Sequence, residues 1–165
     1  MRTLSLLFFL GLSFLVNSCG NKGSTSNSTK EFQSGSPKLI LEVFAGYSCA
    51  SCNEELPELN RRIAAELKDQ AGALDARVYV VAGPNWSKAT QETADRYGRE
   101  LGLTQFSMYV DNQCKGEYRK FYSGSSCLVP ATVLLRPNGE VVEIYDPGIV
   151  DMNEFMARLK ELLNE

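Results

Sequence analysis

The sequence has no histidine among its 165 residues. Histidine is the usual base of serine and cysteine hydrolases and the commonest metal-binding side chain. Its absence therefore excludes zinc proteases, histidine-dependent hydrolases and histidine-ligated copper or haem centres. Strong charge is missing too: the formal net charge is −3 and no basic run occurs, so nucleic-acid binding is not expected. The chemistry must come from other side chains, of which the five cysteines need an explanation.

The apolar run at the N-terminus is too short for a membrane span. It extends from Leu4 to Val16 and has the length of a signal-peptide core. It leads into Val16-Asn17-Ser18-Cys19, which resembles a lipobox, the sequence that precedes a lipidated cysteine in bacterial lipoproteins. We therefore expect a lipoprotein signal peptide over residues 1–18 and lipidation of Cys19. The alternative is an ordinary secretory signal that happens to contain a cysteine.

A polar linker follows over residues 19–37. It is nearly all Gly, Ser, Thr, Asn and Lys, with Phe32 as its only large apolar residue, and such a segment cannot bury enough surface to fold. As a flexible coil of about 17 residues it would reach roughly 20–25 Å. The expected arrangement is a folded domain, residues 38–165, tethered to the bacterial cell envelope and facing the periplasm or the exterior. Lipidation would leave four cysteines, an even number that suits two disulfides in an oxidising compartment.

The folded part alternates short apolar runs with helical patterns. Strands are predicted at 39–44, 77–82, 106–110, 132–135 and 141–145, and helices after the cysteines, at 87–101 and from Asp151 onward. Asn138-Gly139 predicts a hairpin between the last two strands. This order indicates an α/β domain with a mixed sheet flanked by helices.

The motif Cys49-Ala50-Ser51-Cys52 is compatible with zinc binding or with redox chemistry. Zinc normally needs two further ligands, such as a second paired-cysteine motif or histidines. The chain has no histidine, and Cys114 and Cys127 lie thirteen residues apart, which disfavours zinc. The motif follows a predicted buried strand and opens a helix, whose N-terminus would stabilise a thiolate. A third possibility is a permanent disulfide that only closes the loop.

The segment from Phe44 to Cys52 resembles the active site of thioredoxin-like proteins. Pro57 lies five residues after the second cysteine, where thioredoxins kink this helix. The run from Val129-Pro130 to Leu135 is similar to their cis-proline strand. An extra strand and helix before Pro130 are most similar to the membrane-anchored, periplasmic TlpA-like group. The resemblance covers residues 38–165, but Ser48 stands where the family usually has tryptophan.

The resemblance implies a thioredoxin-like fold and a thiol–disulfide oxidoreductase. Cys49 would be the nucleophile and Cys52 the resolving thiol. Glu42 would be the buried carboxylate behind the cysteines and would exchange a proton with Cys52, unless it reaches solvent at a strand edge. Pro130, expected in cis rather than trans, would present the backbone of Val129 to the substrate. Tyr47 would add a contact to the substrate.

The same resemblance sets the expected partners. No cofactor is needed, because the two cysteines carry the electrons. The partners would be envelope proteins with thiols or disulfides and a membrane or periplasmic redox partner, and a monomer is expected.

Glu54 and Glu55, placed in the first helical turn, oppose a thiolate there and favour a reductant. The alternative function is a non-catalytic envelope lipoprotein that keeps the fold as a binding or structural module.

Cys114 and Cys127 are expected to form a structural disulfide. The alternative is that Cys127, three residues before Pro130, lies near the active site and relays electrons. Four aromatic residues are expected to pack within the extra part of the chain before Pro130 rather than to bind a ligand. They are Trp86, Tyr118, Phe121 and Tyr122.

Overall fold

The structure is a computed structural model that describes residues 36–70 and 72–165. The expected signal peptide, the lipidation site Cys19 and all but the last two residues of the linker lie outside the described residues. Within the described ranges, no helix combines the length and the apolar character needed to cross a membrane.

Five strands and three α-helices account for most of the described chain. They are β1 Leu39–Gly46, α1 Ala50–Glu66, β2 Leu74–Ala82, α2 Gln91–Glu100, β3 Ser107–Val110, β4 Ala131–Leu135, β5 Val141–Tyr145 and α3 Met152–Asn164. The predicted order of strands and helices is confirmed, including the extra helix and strand before Pro130. The second helix begins later than predicted because the side chain of Thr90 caps it in a reciprocal pair with Thr93.

The strands form one mixed sheet in the order β3-β2-β1-β4-β5. The first three strands are parallel, while β4 is antiparallel to β1 and β5 is antiparallel to β4. In the β1–β4 pairing, Phe44 lies opposite Ala131. The end of β1 and the beginning of β4 therefore meet at one edge of the sheet. This topology brings the cysteine motif, which follows β1, to Pro130, which precedes β4.

The helices pack against one face of the sheet. Successive residues of a strand point to opposite faces, so alternate residues of β1 belong to two different cores. Leu41, Val43 and Ala45 join a buried cluster with Cys49 and Cys52. The same cluster includes apolar residues from all three helices: Leu56, Leu59 and Ile63 of α1, Ala94 and Tyr97 of α2, and Phe155, Met156, Leu159, Leu162 and Leu163 of α3.

The opposite face is covered by the irregular segment 111–128, which joins β3 to β4. Asp111 organises this segment: its two carboxylate oxygens accept hydrogen bonds from the N–H groups of Gly116 (2.6 Å) and Tyr118 (2.8 Å). The ring of Tyr118 meets that of Phe44 edge-on, with centroids 5.3 Å apart. A disulfide between Cys114 and Cys127 closes the segment, with Cα atoms 5.7 Å apart.

The four aromatic residues that were expected to pack together lie in two different places. Tyr118, Phe121 and Tyr122 pack on the second face around Phe44, as expected. Trp86 does not: it lies in the turn Pro84–Trp86 after β2, and its side chain is exposed. The expectation that Trp86 packs with the other three is therefore wrong, because most of its side chain is exposed.

Candidate active site

Cys49 and Cys52 form a disulfide at the N-terminus of α1. Cys49 is the N-cap residue, with extended backbone angles, and its sulfur accepts a hydrogen bond from the backbone N–H of Cys52 at 3.2 Å. Cys49 keeps 6% of its surface exposed, whereas Cys52 is fully buried. Backbone N–H groups and the helix dipole would stabilise a thiolate at Cys49 in the reduced protein. The pair thus has an outer and an inner sulfur.

The loop before β4 lies directly against the outer sulfur. The Val129–Pro130 peptide bond is cis. The Sγ atom of Cys49 is 3.7 Å from the carbonyl oxygen of Val129 and 3.5 Å from the hydroxyl oxygen of Ser51. The structure therefore brings together four of the predicted site residues, namely Cys49, Cys52, Val129 and Pro130.

Glu42 lies on the other side of the sheet from the cysteines. It is buried, and its Oε1 atom accepts hydrogen bonds from Arg77 (3.2 Å) and from the hydroxyl of Tyr79 (3.4 Å). Burial raises the pKa of Glu42 more than the guanidinium of Arg77 lowers it. Its neighbour Val43, and not Glu42, points toward Cys52. This corrects the prediction that Glu42 stands behind the cysteines: alternate residues of a strand face opposite sides of the sheet, and Glu42 lies on the side away from Cys52.

A different carboxylate, that of Glu55, lies at the active site. Because α1 begins at Ala50, Glu54 and Glu55 are in its second turn, not its first as predicted. Glu54 is exposed, whereas Glu55 is half-buried. Its Oε2 atom accepts a hydrogen bond from the N–H of Ile149 at 3.0 Å, and its Oε1 atom is buried without a partner among the described residues.

Two observations tie Glu55 to the site. It follows Cys52 by three positions, so both side chains occupy the same side of α1. A Cβ atom added to Gly148 would lie 2.7 Å from Glu55 Oε2 and equally close to Pro130 Cγ, so the carboxylate and the cis-proline share a neighbour. Burial raises the pKa of Glu55, and the hydrogen bond from Ile149 only partly opposes this. The helical spacing from Cys52 was the sequence signal that could have identified it.

Tyr47 is held against α2. Its ring packs on Tyr97 with centroids 5.1 Å apart, and its hydroxyl is hydrogen-bonded to Glu100. The guanidinium carbon of Arg96 lies over the Tyr47 ring, 5.7 Å from the ring centroid. The half-buried side chain is thus held against α2, and a substrate contact by Tyr47 stays a prediction.

The arrangement can perform dithiol–disulfide chemistry with protein groups alone. Within residues 36–70 and 72–165, no three cysteine, aspartate or glutamate side chains are grouped as a metal ion requires. The reacting groups are two sulfurs at a helix N-terminus, a backbone carbonyl beside the outer sulfur and a half-buried carboxyl group beside the proline.

No protein family model matches the sequence, and no curated protein matches it. Solved structures do match in three dimensions, at low sequence identity. A thiol-disulfide isomerase from Corynebacterium glutamicum is similar over 78% of this chain and 82% of its own, with a TM-score of 0.59 and 18% identity. The thioredoxin domain of a thiol-disulfide oxidoreductase from Bacteroides vulgatus covers 78% of this chain and 81% of its own, with a TM-score of 0.54 and 17% identity.

A third similar structure is a secreted disulfide oxidoreductase from Mycobacterium tuberculosis. It matches 77% of this chain and 81% of its own, with a TM-score of 0.51 and 18% identity. At such identities the likeness concerns the fold. Together with the five-stranded mixed sheet, it shows that the described domain has the thioredoxin-like fold.

Proposed function

We propose that the protein is a thiol–disulfide oxidoreductase that reduces disulfides of cell-envelope proteins. The observation that carries the proposal is the Cys49–Cys52 disulfide at the N-terminus of α1, with the outer sulfur 3.7 Å from the carbonyl oxygen of Val129. The activities named for the similar structures are of the same class and support it.

The reaction begins with the reduced protein. The thiolate of Cys49 attacks one sulfur of the substrate disulfide, the substrate S–S bond breaks, and the departing sulfur leaves as a thiolate that takes up a proton. Cys52, deprotonated, then attacks the Cys49 sulfur and releases the second substrate sulfur as a thiolate. Two electrons pass to the substrate, and the protein returns to the Cys49–Cys52 disulfide. A dithiol partner at the membrane or in the periplasm must reduce it again.

Glu55 has the position of a proton acceptor for Cys52. Its carboxyl group is half-buried, its pKa is raised by burial, and it lies on the same side of α1 as the inner sulfur. A carboxyl group whose pKa is raised by burial can take the Cys52 proton during resolution. This role replaces the one expected of Glu42.

Electron donation to the substrate is part of the proposal, and two carboxyl groups on α1 support it. Glu54 and Glu55 in the second turn of α1 oppose negative charge on Cys49. A less stable thiolate favours the disulfide as the product, and hence a protein that gives up electrons.

The substrate would bind beside Pro130. The backbone of Val129, next to the outer sulfur, would pair with an extended substrate segment and hold its cysteine against Cys49.

The cellular site is part of the proposal. The lipobox-like sequence ending at Cys19 and the polar linker support a lipid-anchored protein outside the cytoplasm, and one of the similar proteins is described as secreted.

The activity is tested by reduction of insulin with dithiothreitol as the electron donor. We expect the wild-type protein to accelerate the reaction and Cys49→Ser to lose the acceleration. The matched control is the double variant Cys114→Ala/Cys127→Ala, which removes the other cysteine pair and should retain the rate. A Cys52→Ser variant should accumulate mixed disulfides at Cys49 in intact cells. Equal rates for wild type and Cys49→Ser, with nothing trapped, would favour the non-catalytic alternative.

A further inference from the structure

Trp86 places an exposed indole beside the outer cysteine. Its side chain is 59% exposed, although tryptophan is usually largely buried. A Cβ atom added to Gly46 would lie 3.1 Å from Trp86 Cζ3 and 3.8 Å from the Cβ atom of Cys49. The indole therefore lies across Gly46, at the edge of the disulfide.

The backbone, rather than burial, holds this indole in place. Asn85 and Trp86 both have left-handed backbone angles, with φ of 53° and 60°. Residues other than glycine adopt this conformation rarely, and they do so mainly where the surroundings impose it, often at functional sites. Here the hydroxyl of Ser48 accepts a hydrogen bond from the N–H of Asn85 at 2.9 Å, and the N–H of Trp86 donates to Gly83 at 3.1 Å. The residue before Cys49 thus anchors the turn that presents Trp86.

Two further exposed apolar residues adjoin the same site. Leu128 is 55% exposed and immediately precedes Val129. Val150 is 93% exposed and lies two residues after Gly148, which contacts Pro130 and Glu55. Trp86, Leu128 and Val150 are the most exposed large apolar side chains of the described residues, and each lies close, in space or in the chain, to a residue of the active site. Large apolar side chains left exposed near a reactive sulfur are available to contact a substrate.

We propose that Trp86 contacts the substrate and makes the protein selective for cysteines with apolar neighbours in extended polypeptide segments. The inference rests on the proposed oxidoreductase function and specifies its substrates. A segment paired with the backbone of Val129 would carry the side chain next to its cysteine over the indole, where apolar area is removed from water. A small anionic disulfide such as oxidised glutathione has no such side chain, and the formal net charge of −3 does not attract it.

The test compares three disulfides with the reduced protein: a disulfide-linked peptide pair with leucine beside each cysteine, the same pair with serine in place of leucine, and oxidised glutathione. The measured quantity is the second-order rate constant of each reduction. We expect Trp86→Ala to slow the leucine peptide about tenfold, because a centrally placed aromatic contact typically contributes that much. The serine peptide and glutathione should keep their wild-type rates.

Two other variants complete the experiment. Tyr109→Ala removes an exposed aromatic side chain on β3 that stacks on Tyr79, and it should leave all three rates unchanged. Gly46→Ala adds the methyl group that meets the indole at 3.1 Å, and it should slow the leucine peptide selectively but less than Trp86→Ala.

The outcomes separate the two proposals. Equal slowing of all three disulfides by Trp86→Ala, or no slowing of any, would overturn the substrate contact while leaving the oxidoreductase function intact. A wild-type protein that reduces none of the three would overturn the proposed function itself.

Discussion

At the scale of single residues, Glu55 couples the active site to pH. Its carboxyl group is held between Ile149, Gly148 and Pro130, and burial raises its pKa above the ordinary value of 4.5. The folded protein therefore binds this proton more tightly than the unfolded chain does. The stabilising effect is complete below pH 4.5 and is lost as pH rises through the raised pKa.

We expect Glu55→Gln to be progressively more stable than wild type as pH rises above 4.5. Glutamine keeps an oxygen that accepts the hydrogen bond from Ile149, but it carries no charge to bury. The measurement is urea unfolding of the oxidised proteins across a series of pH values. Glu42, whose pKa is also raised, is present in both proteins and cancels in the comparison.

The control for this prediction is Glu54→Gln, an exposed position on the same turn of α1. The gain in stability at higher pH is expected of Glu55→Gln alone, because, of the two, only the Glu55 carboxyl group is enclosed by the fold. A pH-independent difference for Glu55→Gln would contradict a Glu55 pKa raised by burial.

The two carboxylates also show where sequence reasoning succeeds and fails. A buried acid near the motif was predicted, but strand alternation decides which face it occupies, and Glu42 is one position away from the face of Cys52. Only the register of β1 in the folded sheet fixes that choice. The cysteines and Pro130 were predictable because their positions follow from the ends of β1 and β4. Trp86 was not, because its exposure depends on the left-handed turn at Asn85.

At the scale of elements, segment 111–128 covers the second face of the sheet, as helices cover the first. It has only short 3-10 turns, at Asn112–Cys114 and Glu117–Lys120, and no continuous helix to hold it in place. Asp111 and the Cys114–Cys127 disulfide fix its shape instead. Such tertiary restraints have no periodic pattern, which is why the sequence predicted the helices and strands well but not the shape of this segment.

We expect Cys114→Ala/Cys127→Ala to lower the free energy of unfolding by about 3 kcal/mol, the chain-entropy value for a closed loop of this length. Alanine suits the fully buried position of Cys114 without adding a polar group. Urea unfolding of the oxidised proteins gives the difference. Unchanged stability would show that the disulfide does not restrain the segment.

The location of this disulfide also bears on the relay alternative. Cys114 and Cys127 pack with the second core, whereas Cys49 and Cys52 belong to the first. Mass mapping of the oxidised wild-type protein should give only the two pairs of the structure. A Cys52–Cys127 species would contradict the structural role and favour electron relay.

At the scale of the whole molecule, the proposal joins one folded domain to a membrane through a polar linker. The five-stranded sheet and both cores lie within residues 36–165, a range that does not include the proposed lipidation site Cys19. The fold class and the order of the strands and helices were predictable at this scale, because alternating strands and helices leave strong periodic patterns. The cysteine motif is read directly from the sequence.

We expect Cys19→Ser to move the protein from the membrane fraction to the soluble or secreted fraction of a bacterial host, because serine cannot carry the lipid. Its insulin-reduction rate, measured on purified protein, should equal that of wild type. Persistence of Cys19→Ser in the membrane fraction would contradict lipid anchoring at this residue.

The position of Trp86 has a consequence for how the protein can be observed. It is the sole tryptophan of the chain, and it lies beside the Cys49–Cys52 disulfide. An excited indole transfers an electron readily to a nearby disulfide, so its emission is quenched in the oxidised protein and rises on reduction. Intrinsic fluorescence would therefore follow the redox state of this one cysteine pair in real time, and a titration in glutathione buffers would give its reduction potential without any added label.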